Sequence, residues 1–147
     1  ELRLIPSNPK VTPEAIAAIA DADWITFGPG SWLSSVMPHF LFKEQADAFK
    51  NSPAKKIMIF NLPDKSTSDE FSGISLEEHL QLVLDHVPDL TFDIALIDKV
   101  FEGKEPGFTQ LVEKCGGRVI TLDLADNVVN FHHDKNKLIS AFTHIFS

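Results

Sequence analysis

The chain has 147 residues, a formal net charge of −8 and a hydrophobic content of 44%. This length fits one domain with its own core, and the hydrophobic content excludes a disordered chain. The negative charge argues against a non-specific nucleic-acid binder and against an anionic membrane as partner. A small anion stays compatible, because backbone dipoles can hold it locally whatever the net charge.

The cysteine content and the termini bear on the compartment. Cys115 is the single cysteine, so the chain has no internal disulfide, and we expect a reducing, cytoplasmic environment. No apolar run approaches the ~20 residues that a membrane span needs, and no secretory signal is visible. The sequence starts at Glu1 without a methionine and enters the strand-like run Arg3 to Ile5 almost at once. We interpret this as a start inside a larger protein, with a cleaved leader as the alternative.

Strand-like runs alternate with helical patterns along the chain. Five apolar runs lack polar alternation, as is typical of strands covered on both faces: residues 3–5, 24–27, 57–60, 94–97 and 119–122. The first helix is predicted to start at Thr12-Pro13-Glu14, which supplies a capping hydroxyl and an N-terminal proline. A second helical stretch covers residues 31–51, where Pro38 should kink or split it.

The second half of the chain continues this order. Ser75 to Glu78 has the form of a capping box, and Pro88 ends the helical pattern that follows. Gly116-Gly117 ends the next helix, and Asp134 can cap the last one. The alternation predicts right-handed βαβ units and a single α/β domain over residues 1–147. The expected fold is a three-layer αβα arrangement around a mostly parallel, Rossmann-like sheet.

Ligands of open parallel sheets bind beyond the carboxyl ends of the strands, which selects four loops. Gly28-Pro29-Gly30-Ser31 follows the run 24–27. Its glycines allow close backbone approach, and Ser31 can cap the next helix, whose N-terminal amides favour an anion. The alternative is an ordinary strand-to-helix turn. Asn61, which follows the run 57–60, either contacts a ligand or caps a turn.

The remaining polar candidates have simpler interpretations. We expect Asp98 and Asp123, after the last two strands, to be solvated loop acids. The pair His132-His133 lacks further ligands at metal-like spacing, so we predict no metal site. His79 is interpreted as a surface or packing residue. Neither Ser34 nor Ser35 has an evident base, no nucleophile elbow is present, and Cys115 is expected to be inert core.

Three motifs occur together in order. The segment FGPGSWLSSVMP at 27–38 combines GPGS, two apolar residues, a serine pair and a proline. Asn61-Leu62 precedes a Ser/Thr-rich loop and then GISLEEHL at 73–80, and HDKNKL stands at 133–138. In these motifs the chain resembles the CofD/YvcK-like family of 2-phospho-L-lactate transferase and the gluconeogenesis factors. The segment 86–98 resembles actinobacterial members of the gluconeogenesis-factor branch.

This resemblance implies that the chain is the C-terminal half of a larger family member. It also implies a non-catalytic regulator that binds a nucleotide sugar such as UDP-N-acetylglucosamine and is linked to cell-wall synthesis and cell shape. No cofactor is expected, and self-association as a homo-oligomer is left open. The alternative is an enzyme that transfers a phospholactyl group to a deazaflavin. The ligand-binding residues expected at the site are Gly28, Pro29, Gly30, Ser31, Asn61, Thr67, Ser68 and His132.

Overall fold

The sheet contains four parallel strands in the spatial order of the chain. The structure is a computed structural model that describes residue 5 and residues 9–63, 73–127 and 132–147. The strands are β1 (Trp24–Phe27), β2 (Lys55–Ile59), β3 (Ile94–Asp98) and β4 (Arg118–Leu122), in the order β1-β2-β3-β4. Four of the five predicted strands are therefore confirmed within two residues at each end, and the run 3–5 falls almost wholly outside the described residues.

Helices connect and follow the strands. They are α1 (Pro13–Asp21), a five-residue π-helix (Trp32–Val36), α2 (Met37–Leu41), α3 (Lys43–Asn51), α4 (Leu76–His86), a 3-10 turn (Lys99–Phe101), α5 (Pro106–Lys114) and α6 (Lys135–Phe146). Within the described ranges, none of these helices is long and apolar enough to cross a membrane.

The predicted helix caps are confirmed. Thr12 accepts a backbone hydrogen bond in the first turn of α1, at 3.3 Å. Ser75 and Glu78 form a reciprocal capping box at the start of α4, with bonds of 3.1 and 2.8 Å. Asp134 accepts the backbone N–H of Asn136 and of Lys137 at the start of α6. These side chains satisfy amides that have no partner inside the helix, so they fix where each helix begins.

The stretch 31–51 is split as predicted, but at a different residue. The α-helical path breaks at Phe42, which has extended backbone angles of φ −87° and ψ 106°, between α2 and α3. Pro38 lies in the first turn of α2 instead. A proline is tolerated there because its missing N–H would have no partner within the helix.

The two faces of the sheet carry separate cores. Helices α2 to α5 cover one face, where Met58, Phe60 and Leu80 are almost completely buried. Helix α6 covers the other face and packs Ala141 against Ile57 and Leu96. Helices therefore lie on both sides of a parallel sheet, which confirms the predicted α/β fold.

Candidate functional site

The carboxyl ends of all four strands lie at one edge of the sheet, because the strands are parallel and adjacent. Four polar features occur there: the Gly28–Ser31 turn after β1, Asn61 after β2, Asp98 at the end of β3, and Asp123 after β4. The predicted placement of GPGS, Asn61 and Asp98 along one edge is therefore confirmed. Their roles differ once their contacts are compared.

Asn61 holds the GPGS turn by both polar groups of Gly30. The Gly30 N–H donates to Asn61 Oδ1 at 3.1 Å, and Asn61 Nδ2 donates to the Gly30 carbonyl at 2.7 Å. The two bonds join the loop after β1 to the loop after β2. Because the Gly30 amide is engaged inside the protein, an anion at this turn would have to use groups other than that amide.

Gly28 shows why this turn needs a glycine. Its φ is +83°, a conformation that side chains rarely adopt. A Cβ at this position would lie 2.6 Å from the backbone oxygen of Ile59. The turn is therefore packed directly against the end of β2, and the Gly28–Pro29 peptide is cis.

Ser31 starts the π-helix that follows the turn. Its hydroxyl accepts the Ser34 N–H at 3.4 Å, which is a long bond, and its carbonyl accepts the N–H groups of both Ser35 and Val36 at 2.8 and 3.2 Å. The predicted capping role of Ser31 is confirmed, although the helix is a π-helix. Ser31, Ser34 and Ser35 are all exposed, so the outer side of this segment carries three hydroxyl groups.

Aromatic packing anchors the inner side of the same segment. The ring of Trp32 stacks on His79 of α4, with centroids 5.0 Å apart and an interplanar angle of 11°. Trp32 also contacts Phe60 at 5.3 Å, and Phe60 packs edge-on against Phe108 at 4.9 Å. The interpretation of His79 as a packing residue is confirmed. The π-helix is thereby attached to α4 and to the end of β2.

Asp98 is not the solvated loop acid that we expected. Asp98 is only 2% exposed, and its carboxylate accepts hydrogen bonds from three backbone N–H groups. Oδ2 accepts from Leu124 at 2.7 Å and from Ala125 at 3.0 Å, and Oδ1 accepts from Val100 at 2.8 Å. The chain after β4 folds back over the end of β3, which removes the carboxylate from water. Asp98 therefore ties two loops together.

Asp123 matches its prediction as an exposed acid. It forms ion pairs with Lys99 and Lys137, each at 2.9 Å. Its hydrogen bonds to the two lysines lower the pKa of the carboxyl group below its usual value. The Lys137 ammonium group also donates a hydrogen bond to the Ala125 carbonyl at 2.7 Å, which fixes its position beside Asp123.

The His132 segment returns to the same edge. The residue His132 is exposed, and its carbonyl accepts the Asp126 N–H at 2.8 Å. His133, which was not among the ligand-binding residues expected from the sequence, forms a β-bridge with Ala125 and is half-buried next to the backbone of Phe60. Burial lowers the pKa of His133, against the opposing effects of the Phe60 backbone and the Asp98 carboxylate.

Two of the predicted ligand-binding residues, Thr67 and Ser68, lie outside the described residues. In the parts of the chain that the structure describes, no three His, Cys, Asp or Glu side chains converge as a metal set. Cys115 is buried, and burial raises the pKa of its thiol, so the reactive thiolate is disfavoured. Among the described residues, the groups available at this edge are therefore backbone groups, side-chain hydroxyls, side-chain amides and charged side chains.

The fold and this edge define a Rossmann-like α/β protein with a clamped, glycine-containing turn after its first described strand. The chain belongs to the family described as 2-phospho-L-lactate transferase CofD, whose profile matches residues 1–139. The family that the three motifs indicated is therefore confirmed.

Similar proteins occur across bacteria. A Mycobacterium tuberculosis relative is 37% identical over 97 residues, which cover 66% of this chain and 28% of the relative. A protein named "Gluconeogenesis factor" from Listeria monocytogenes is 34% identical over 100 residues, which cover 68% of this chain and 30% of the relative. The matches therefore span less than a third of the length of these relatives.

Solved structures agree with the fold. Two crystal structures of one Bacillus halodurans protein, described in one case as a member of the UPF0052 family, superpose with TM-scores of 0.67 and 0.71. Their sequence identities to this chain are 25% and 27%, and each comparison covers 96% of this chain and 49% of the other. The chain thus spans about half of that protein. That it forms the C-terminal half of a larger protein stays a prediction.

Proposed function

We propose that this chain contributes the diphosphate-binding part of a nucleotide-sugar site in a regulator of the gluconeogenesis-factor type. The observation that carries the proposal is the pair of hydrogen bonds between the Asn61 side chain and the backbone of Gly30. It fixes the GPGS turn at the carboxyl edge of a parallel sheet, where ligands of this fold class bind. The exposed hydroxyls of Ser31, Ser34 and Ser35 then project from a backbone whose position is already fixed.

The chemistry suits an anion without needing a net positive charge. The first amides of a helix have no partner within the helix, and hydroxyls donate hydrogen bonds to phosphate oxygens. Gly28, Pro29, Gly30 and Ser31 would surround the phosphates, and Asn61 would act by holding the turn. Contacts from Thr67, Ser68 and His132 belong to the same proposal.

The choice of ligand rests on the family. Relatives carry the name gluconeogenesis factor. From the resemblance to that branch we take UDP-N-acetylglucosamine as the proposed ligand and a role in cell-wall synthesis and cell shape as the proposed function. The single cysteine favours a cytoplasmic location for this role. A second candidate is supported by the family description, which names a 2-phospho-L-lactate transferase. In this candidate the protein would transfer a phospholactyl group to a deazaflavin acceptor.

Calorimetric titration of UDP-N-acetylglucosamine tests the first proposal. We expect saturable binding by the full-length protein that contains this chain and loss of binding in its folded Gly30→Val variant, because a branched side chain would obstruct an anion above the turn. Gly116→Val is the control: Gly116 also has a positive φ, +83°, but it precedes β4 at the amino edge of the sheet. Wild-type protein that does not bind the nucleotide sugar would contradict the proposal.

An activity assay separates the two candidates. The protein is incubated with a nucleotide-activated phospholactate donor and a deazaflavin acceptor, and the phospholactyl product is measured. If the protein is a regulator, product should form no faster with the protein than without it. Product formation that disappears in Gly30→Val would favour the transferase at the same turn.

A further inference from the structure

The hydroxyl of Ser35 lies against the GPGS turn. A Cβ built on Gly30 would be 3.0 Å from the Cβ of Ser35 and 3.4 Å from its Oγ. No other side chain comes within 4 Å of that position among the described residues, once the chain neighbours of Gly30 are set aside. The close approach of these two residues therefore depends on the absence of a side chain at Gly30.

The π-helix produces this placement. The Ser31 carbonyl accepts N–H groups both four and five residues later, so the turn is wider than an ordinary α-helical turn. Trp32 and Val36 point into the core, at 4% and 3% exposure, which fixes the rotation of the segment. Ser35 then faces Gly30, whereas Ser34 is exposed elsewhere on the same turn.

The Ser35 hydroxyl also forms no hydrogen bond with the part of the protein that the structure describes. Across residues 9–63 and 73–127, no hydrogen bond engages its Oγ, in contrast to Ser31 Oγ, which accepts from Ser34. The residue is exposed, so its hydroxyl is available to a ligand without any rearrangement of the core. A serine hydroxyl in this state can donate to an anionic oxygen, and such charge-assisted bonds are the strong ones.

We propose that Ser35 is a phosphate-binding residue, whose hydroxyl donates a hydrogen bond to a ligand phosphate oxygen held above Gly30. The inference rests on the proposed function, because it assigns a further contact at the same site. It gives Ser34 and Ser35 different roles although both are exposed serines in adjacent positions. It also explains why position 30 carries glycine, since even a methyl group would press on Ser35.

Titration of UDP-N-acetylglucosamine into wild type, Ser35→Ala and Ser34→Ala tests this assignment. We expect Ser35→Ala to weaken the affinity about tenfold or more, as for loss of a hydrogen bond to a charged group. The matched control Ser34→Ala should stay within about twofold of wild type, because Ser34 does not approach Gly30. Ser35→Thr retains the hydroxyl and should recover most of the affinity.

A second probe separates a ligand contact from a structural role. Uridine lacks the phosphates, so Ser35→Ala should leave its affinity unchanged. Equal losses for uridine and the nucleotide sugar would mean that the substitution distorts the turn, and would overturn the assignment. If the wild type binds the nucleotide sugar and the Ser35→Ala and Ser34→Ala variants bind it with equal affinity, the assignment of Ser35 is overturned, whereas the proposed function stands. Absence of binding by wild type would instead refute the proposed function, and the assignment with it.

Discussion

The carboxyl edge of the sheet contains two loop junctions that look alike in sequence and differ in structure. At each of them a polar side chain at or just after the end of a buried strand forms hydrogen bonds with the backbone of a neighbouring loop. Asp98 does so with two bonds, accepts a third from Val100 in its own turn, and is 2% exposed. Asn61 does so with two bonds and is half-buried beside exposed serines. The junction at Asp98 is closed, and the junction at Asn61 leaves hydroxyl groups open to solvent.

The difference shows that position after a strand does not by itself make a binding residue. Asp98 accepts hydrogen bonds from the backbone of Val100, Leu124 and Ala125, and its carboxylate has no donor to offer an anionic ligand. Asn61 is neutral, and its amide satisfies both a donor and an acceptor of Gly30. We therefore expect Asp98 to determine stability and Asn61 to affect both stability and binding.

The largest expected effect comes from opening the closed junction. Asp98→Ala should lower the free energy of unfolding by about 3 kcal/mol, because backbone donors are left buried without acceptors. Urea denaturation measures the change. Asp123→Ala is the control, and it should cost much less, because Asp123 is exposed and its ion pairs lie in water. Similar losses in the two variants would contradict the contrast between buried and exposed acids.

The next effect tests how tightly the GPGS turn is packed on β2. Gly28→Ala should lower the free energy of unfolding by about 2 kcal/mol, from its positive φ and from the close contact with the Ile59 oxygen. Gly103→Ala is matched, because its φ is +71° but no atom lies within 4 Å of the added Cβ. It should cost about half as much, since only the backbone term applies. Thermal unfolding of both variants checks the order.

A smaller effect is expected at the open junction. Asn61→Ala removes both bonds to Gly30 and should lower the free energy of unfolding by about 1 to 2 kcal/mol. The turn would also lose its fixed orientation, so the affinity for UDP-N-acetylglucosamine should fall about tenfold. Denaturation and calorimetry on the same preparation measure the two changes. An Asn61→Ala protein that loses stability but keeps full affinity would make this junction as purely structural as the one at Asp98.

The smallest expected effect is on the pH dependence of stability, through His133. Burial lowers the pKa of His133 in the folded state below its usual value of 6.5, so folding disfavours its protonated form. Its contribution to stability is therefore complete above 6.5 and is lost as the pH falls through the lowered folded-state pKa. His133→Gln should reduce the fall in unfolding free energy between about pH 7.5 and about pH 5. The exposed His144→Gln serves as control and should leave that fall unchanged.

Local chemistry made part of this protein predictable. Thr12, Ser75 and Asp134 cap their helices because a short polar side chain next to free amides needs no distant partner. The apolar strand runs predicted a sheet covered on both faces, because buried parallel strands have no polar side. The parallel order then placed GPGS, Asn61 and Asp98 at one edge. Whether the GPGS turn and Asn61 bind a ligand stays a prediction.

Tertiary contacts decided the rest. The sequence could not distinguish Asp98 from Asp123, because the burial of Asp98 depends on residues 124 and 125 folding back across the end of β3. It also could not distinguish Ser35 from Ser34, because the rotation that brings one of them to Gly30 is set by the burial of Trp32 and Val36. By itself, the sequence determined the order of the strands and helices and the caps at Thr12, Ser75 and Asp134, since those features depend on neighbours along the chain. The structure alone decided which polar groups at the edge are consumed by the fold and which stay open, since that depends on segments far apart in the chain.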